Sequence, residues 1–132
     1  MPITRKELAR LIDHTNLKPN ARREDIERLV SEAVKWGFFS VCVNPCYVEL
    51  ASKLVRGTGV KVCTVIGFPL GATLTEVKAL EARECGRLGA DEVDMVMNVG
   101  ALKDGRDDFV LSDIRSVVES FKSVKPDGVV KV

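Results

Sequence analysis

The sequence predicts an α/β fold on a parallel sheet, of the (β/α)8 TIM-barrel class, and three observations carry that expectation. Short apolar runs alternate with segments whose apolar residues recur at helical spacing, the signature of parallel strands joined by right-handed crossovers. The predicted strands carry apolar side chains on one face and polar groups on the other. An open sheet covered by helices on both sides would be apolar on both faces of its central strands. In a barrel one strand face meets the helix shell and the other the interior, where reactive groups gather near the carboxyl ends. Third, the apolar run within Gly89–Gly100 carries an aspartate, Asp94, in its middle.

The elements follow in order. Thr4-Arg5-Lys6-Glu7 has capping-box form and predicts a short helix through Leu8, Leu11 and Ile12. Asp13 to Asn20 reads as a polar loop. Ile26, Leu29, Val30, Ala33 and Val34 recur at helical spacing up to Gly37. Ser40 to Asn44 reads as a strand, and Asn44-Pro45 fits an N-cap with a first-turn proline opening a helix on Val48, Ala51, Leu54 and Val55. Val60 to Ile66 is the next strand, closed by the loop Gly67 to Gly71. Thr73-x-x-Glu76 predicts a helix start, with Val77, Leu80, Cys85 and Leu88 inward. Glu92 to Met97 is the third strand, followed by a charged loop and a helix with Val110, Ile114, Val117, Val118 and Phe121 on one face. After Pro126-Asp127-Gly128 comes a fourth strand, Val129 to Val132.

Side chains alternate along a strand, so Val41 and Val43 oppose Ser40, Cys42 and Asn44. Val93, Met95 and Met97 oppose Glu92, Asp94 and Val96, and Val130 and Val132 oppose Val129 and Lys131. The expectation is that Cys42, Thr64, Asp94 and Lys131 point into one shared interior.

Length and composition narrow the function. The 132 residues are 45% hydrophobic and 30% charged, enough for a core in a single domain spanning 1–132. The net charge of +1 comes from interspersed charges with no basic block, which argues against nucleic acid or an anionic membrane as a main partner. With no signal peptide and no long apolar run, a cytoplasmic protein is expected. Cys42-x3-Cys46 lacks a zinc-knuckle spacing and no Cys/His pair follows it. No metal is therefore expected, and the thiols read as reduced and structural.

A carboxylate in a buried strand must be paired or hydrogen-bonded, because leaving it alone costs several kcal/mol. Asp94 is thus a candidate proton shuttle beside a cationic lysine. Lys131 reads either as an activated amine of depressed pKa or as a charge at a frayed strand end. Cys42 reads as packing, or as a reactive thiol if a lysine lies near. Asp91 reads as a strand-start charge, and His14, with no partner evident in sequence, as a loop-ordering group. Gly67 to Gly71 has no phosphate-loop or dinucleotide fingerprint. Trp36, Phe38 and Phe39 read as helix–barrel packing.

Taken together, Leu11-Ile12-Asp13-His14-Thr15-Asn16-Leu17-Lys18, Val41-Cys42-Val43-Asn44-Pro45, Thr64 to Gly71, Gly89 to Asp94 and Val130-Lys131-Val132 resemble the N-terminal part of the deoxyribose-phosphate aldolase family. The resemblance runs from about residue 8 to the last residue. It implies a class I aldolase on a (β/α)8 barrel that reversibly cleaves 2-deoxy-D-ribose 5-phosphate to glyceraldehyde 3-phosphate and acetaldehyde. The chemistry goes through a lysine Schiff base with no cofactor or metal. By the resemblance, Asp94 is the catalytic proton donor and acceptor. Lys131 is an auxiliary lysine and not the Schiff-base former, and Asp13, Thr15 and Cys42 bind substrate. The family's Schiff-base segments, of the form Ile-Lys-Thr-Ser and Phe-Lys-Pro-Ala-Gly-Gly, are absent from these residues. The expectation is therefore about four βα units, a half-barrel, inactive alone and inclined to form a homo-oligomer through its open edges. The alternative reading is a non-catalytic truncated half-barrel that self-associates.

Overall fold

The computed structural model describes residues 2–132. Five strands form one parallel sheet in the order β1 (Asp13–Asn16), β2 (Ser40–Val43), β3 (Lys61–Ile66), β4 (Glu92–Met95) and β5 (Val129–Lys131). Helices α1 (Arg5–Ala9), α2 (Arg23–Trp36), α3 (Val48–Leu54), α4 (Thr75–Arg87), α5 (Val99–Lys103) and α6 (Asp107–Lys122) fill the connections. Four βα units and a fifth strand make up the chain, as a half-barrel requires.

The sheet is strongly curved. At the usual spacing of about 4.8 Å per strand, β1 and β5 would lie about 19 Å apart in a flat sheet. Instead Lys131 of β5 touches Asp13 of β1 at 2.7 Å, across 118 residues of chain. The face that carries both is the concave one.

Several elements depart from the sequence reading. Asp13–Asn16, expected as loop, is the edge strand β1, pairing Asp13 with Ser40 and Thr15 with Cys42. Its four polar residues give no apolar run to read, and pairing with β2 overrides their poor strand propensity. The charged loop after β4 contains α5, capped by the Asn98 side chain accepting from the Ala101 N–H at 3.0 Å. β4 itself ends at Met95 rather than Met97. The Thr4–Glu7 capping box forms as expected, but α1 buries nothing and Leu11 lies exposed beyond it.

The main core lies between the convex sheet face and the helices. Val41, Val43, Val62, Ile66, Val93 and Met95 meet Ile26, Leu29, Val30 and Ala33 of α2, Val48 and Ala51 of α3, and Val117 and Phe121 of α6. α2 stops at Gly37, whose φ of 70° supplies the left-handed C-cap.

Of the four α4 residues expected inward, Cys85 is buried and the other three are not. Val77, Leu80 and Leu88 are exposed, while Lys78, Ala82 and Cys85 are buried. The helix begins at Thr75 with no side-chain cap rather than at Thr73, and an ion pair sets its orientation. Lys78, with no solvent exposure, donates from Nζ to Asp113 Oδ2 of α6 at 2.7 Å, and Thr75 Oγ1 donates to Asp113 Oδ1 at 2.8 Å. Burial of Cys85, with Glu81 and Glu84 nearby, pushes its thiol pKa up to about 12, so it packs as an inert hydrophobe.

Removing one member of a buried pair strands the other charge. Asp113→Ala is expected to lower unfolding free energy by about 3–5 kcal/mol, measured by urea titration. The double change Lys78→Met with Asp113→Leu should recover most of that loss, because no buried charge is left unpaired.

Candidate functional site

Residues in register on adjacent strands project to the same side, so the pairings sort the interior directly. Thr15, Cys42, Cys63 and Glu92 form one row across β1 to β4. Val65, Asp94 and Lys131 form a second, and Asp13 aligns with Ser40. The concave face thus carries Asp13, Thr15, Ser40, Cys42, Cys63, Glu92, Asp94 and Lys131, with a small apolar floor of Cys42, Cys63, Val65 and Leu17.

Thr64 is a correction. It is in register with Val43 and Val93 on the convex face, fully buried, and its hydroxyl donates to the Val43 carbonyl at 2.7 Å. Cys63, one residue earlier, takes the interior position. In the run Val62-Cys63-Thr64-Val65-Ile66 neither face is charged, so the pattern of residues leaves the phase open.

Lys131 is the centre of the cluster. Its Nζ donates to Asp13 Oδ2 at 2.7 Å and lies 3.0 Å from Glu92 Oε2 and 3.1 Å from Asp94 Oδ1. The Asp94 oxygen is buried but not aligned with an N–H, so the contact is ionic without a directed hydrogen bond, and Asp94 makes no other. Burial works against the Lys131 ammonium. The Asp13 hydrogen bond and the adjoining Glu92 and Asp94 carboxylates outweigh it and hold the lysine well above its ordinary value. Burial likewise opposes the Asp13 carboxylate, but hydrogen bonds from Lys131 and from Ser40 Oγ at 2.6 Å hold its pKa below the usual range. Lys131 is therefore a fixed ammonium, neither a frayed end nor an amine of depressed pKa.

Cys42 and Cys63, register partners on β2 and β3, bring their thiols close together, and Cys63 Sγ donates to the Thr64 carbonyl at 3.7 Å. The neighbouring Cys63 thiol, reinforced by Lys131, lowers the Cys42 thiol, while the proximity of Cys42 and burial raise that of Cys63. Both thiols and an Asp94 carboxylate oxygen lie within 4.8 Å of one another.

Thr15 stands at the rim of the concave face, and the remaining sequence candidates fall elsewhere. Thr15 Oγ1 donates to the Asp13 carbonyl at 2.8 Å at the exposed edge. His14 faces away from the concave side, its Nε2 2.6 Å from Glu32 Oε2 and its ring 4.9 Å from that of Phe38. It lines a cleft of about 540 Å³ with Lys18, Arg22, Arg28 and Glu32, outside the interior. Asp91 is structural: Oδ2 accepts from the Val62 N–H at 2.9 Å and Oδ1 pairs with Lys125 at 3.4 Å. The Gly67–Gly71 loop closes on itself through a 2.7 Å bond from the Gly71 N–H to the Gly67 carbonyl. Any Cβ at Gly71 would stand 2.1 Å from the Met97 carbonyl oxygen. Trp36 is 61% exposed and does not pack against the sheet. Sequence reasoning missed Ser40, Cys63 and Glu92 as parts of the site. Glu92 was readable, because it shares the face of Asp94 two residues on.

The sequence model of the DeoC/LacD family aldolase matches residues 8–125. The chain belongs to the DeoC/LacD aldolase family. It is 58% identical over 115 residues to the deoxyribose-phosphate aldolase of Aciduliprofundum boonei, covering 87% of this chain and 52% of that protein. It is 59% identical over 113 residues to that of Bacillus subtilis, covering 86% and 51%. Among solved structures, the deoxyribose phosphate aldolase of Aeropyrum pernix, described as tetrameric, superposes with a TM-score of 0.86 at 37% identity, over 96% of this chain and 52% of that one. The chain thus spans about half the length of the curated DeoC/LacD relatives it matches. Among its described residues no helix is long and apolar enough to cross a membrane.

The cluster makes stability pH-dependent in a defined window. Asp13, with its pKa lowered, contributes above its unfolded value near pH 4 and loses that contribution as pH falls through the folded value. Lys131, with its pKa raised, contributes below its unfolded value near pH 10.5 and loses it only as pH rises through the folded value. Both are about a third exposed, so solvent screening limits the effect. Lys131→Met is expected to cost about 1 kcal/mol at pH 7 and much less at pH 3, measured by thermal unfolding at both. An equal loss at pH 3 would show that the lysine acts by packing alone.

Proposed function

We propose that residues 1–132 form the first half of a deoxyribose-phosphate aldolase barrel, and that the concave cluster supplies the proton transfers of a reversible carbon–carbon cleavage. The observation that carries the reading is a carboxylate, Asp94, without a hydrogen bond of its own, beside an ammonium shared by three carboxylates. Such a group is free to take or give a proton to a substrate or water within reach.

Lys131 supports this division of labour. An imine forms only from a neutral amine, and three carboxylate contacts keep Lys131 protonated. Its role is electrostatic: it holds the Asp94 carboxylate in place. The Schiff base then belongs to a lysine outside these residues, in agreement with the absence of Ile-Lys-Thr-Ser and Phe-Lys-Pro-Ala-Gly-Gly segments. Asp13, Thr15 and Cys42 line the substrate end, Asp13 fixed by Ser40 and Lys131. The substrate class is a phosphosugar and its aldehyde fragments, and the setting is the cytoplasm, with no cofactor required and with neither nucleic acid nor membrane as partner.

Incubating the chain with deoxyribose 5-phosphate, reducing with borohydride and weighing the intact protein tests the assignment of Lys131. The expected mass is that of the unmodified chain; a stoichiometric adduct on Lys131 would overturn its auxiliary role. In a complete enzyme carrying this half, Asp94→Asn should lower kcat by roughly 10²- to 10⁴-fold with unchanged thermal stability. Near-normal turnover would remove Asp94 from the reaction.

A second reading rests on the sheet edges. β1 and β5 each pair on one side only, and unpaired edges invite pairing with another chain. By this reading the residues form a non-catalytic half-barrel that self-associates into a homo-oligomer. Light scattering at high concentration is expected to give at least a dimer, and a monomer throughout would exclude it.

A further inference from the structure

The spacing of Cys42 and Cys46 argues against a metal site in the sequence, but the fold pairs Cys42 with a different cysteine. Cys42 and Cys63 are register partners on adjacent strands, and Asp94 stands on the next strand, in register with Val65. One sulfur from each cysteine and one oxygen from Asp94 all lie within 4.8 Å of one another. We propose that Cys42, Cys63 and Asp94 form a three-donor site for a thiophilic divalent cation of the zinc or cadmium type.

Four features support it. The donor set of two sulfurs and a carboxylate suits a borderline-soft ion, which takes thiolate at about 2.3 Å and carboxylate oxygen at about 2.0–2.2 Å. At those lengths tetrahedral ligands stand about 3.5–3.8 Å apart, so rotations of these side chains bring the three donors into place. All three sit on sheet strands rather than loops, so little ordering is needed. Asp94 has a buried oxygen without a hydrogen bond, and metal coordination satisfies such an oxygen.

The nearby ammonium does not forbid the ion. Asp13, Glu92 and Asp94 outnumber the single charge of Lys131 that they surround, leaving a formal excess of two negative charges. The incoming dication displaces one proton from each thiol to solvent, so this excess is unchanged. Lys131 keeps its contacts to Asp13 and Glu92 when Asp94 turns to the metal. The fourth coordination position points into the open concave face, where Asp94 is 38% exposed, and is left for water. The ion is an occupant that takes Asp94 out of proton transfer, not a participant in the aldolase reading, and the site stands whether or not that reading holds.

The test is a titration of the whole chain with cadmium chloride, without substrate, read by the thiolate-to-cadmium charge-transfer absorption in the ultraviolet. A band saturating at one equivalent per chain is expected. Cys42→Ser and Cys63→Ser should each abolish saturation at one equivalent, while Cys46→Ser and Cys85→Ser leave it intact. Asp94→Asn should weaken binding by at least about tenfold, the size of effect seen even for outer-shell partners. Should the interior serine variants fail to fold by circular dichroism, cadmium NMR of the unmodified chain reads the number of sulfur ligands directly, with two expected. Absence of a stoichiometric band, its persistence in folded Cys63→Ser, or a cadmium shift reporting one sulfur or none would overturn the site.

Discussion

The concave face is organised by one contact, the Lys131 ammonium on the Asp13 carboxylate at 2.7 Å. It joins the first strand to the last, and it exists only because the sheet bends far enough to bring its edges within side-chain reach. The curvature comes from the twist and tilt of parallel strands under helices on their convex side. The contact then gathers Glu92 and Asp94, because an ammonium half removed from water draws every carboxylate that can reach it. Fold and site are one arrangement here. Flattening the sheet would leave a lysine and three acids as separate surface charges, each worth little.

A second constraint keeps the two sheet faces distinct. The period of two along a strand means that a slip of one residue would send Asp94 into the apolar core and Met95 or Val93 into the interior. The convex face guards against this with a layer of valine, isoleucine and methionine, broken by the hydrogen-bonded Thr64, against α2, α3 and α6. The buried Lys78–Asp113 pair fixes the seating of α4 against α6. Its worth lies in specificity: only one rotation of α4 puts an ammonium against that carboxylate, and every other leaves two charges buried alone.

Most of this was legible in the sequence, and what was not had physical causes. The β-then-α alternation and the one-sided strands were readable because long-range packing and local pattern agree there. β1 was not, because Asp-His-Thr-Asn has neither apolar alternation nor branched apolar residues, and its strand conformation comes wholly from its neighbour. α4 was misjudged in its buried face because a charged residue, Lys78, occupies a core position through a partner 35 residues away. Within the site, Asp94 and Lys131 stood out as charges in apolar strands. Cys63 did not, since cysteine beside valine looks like packing on either face. The Asp13–Ser40–Lys131 link depended on the unseen strand.

The charge of the concave face also constrains how a phosphosugar would lie in the proposed reading. Three carboxylates against one ammonium repel a phosphate dianion, and at the low effective dielectric of a barrel interior that repulsion is not screened away. The phosphate end must therefore be held elsewhere, at donors not among these interior residues. The carbonyl end is the part that can approach Asp94, being uncharged and served by proton transfer. In that reading a half-barrel with this charge distribution would position the reacting carbons and leave anchoring of the phosphate to other residues. The same negative excess that turns away phosphate also favours a dication at Cys42, Cys63 and Asp94, so one electrostatic property underlies both expectations.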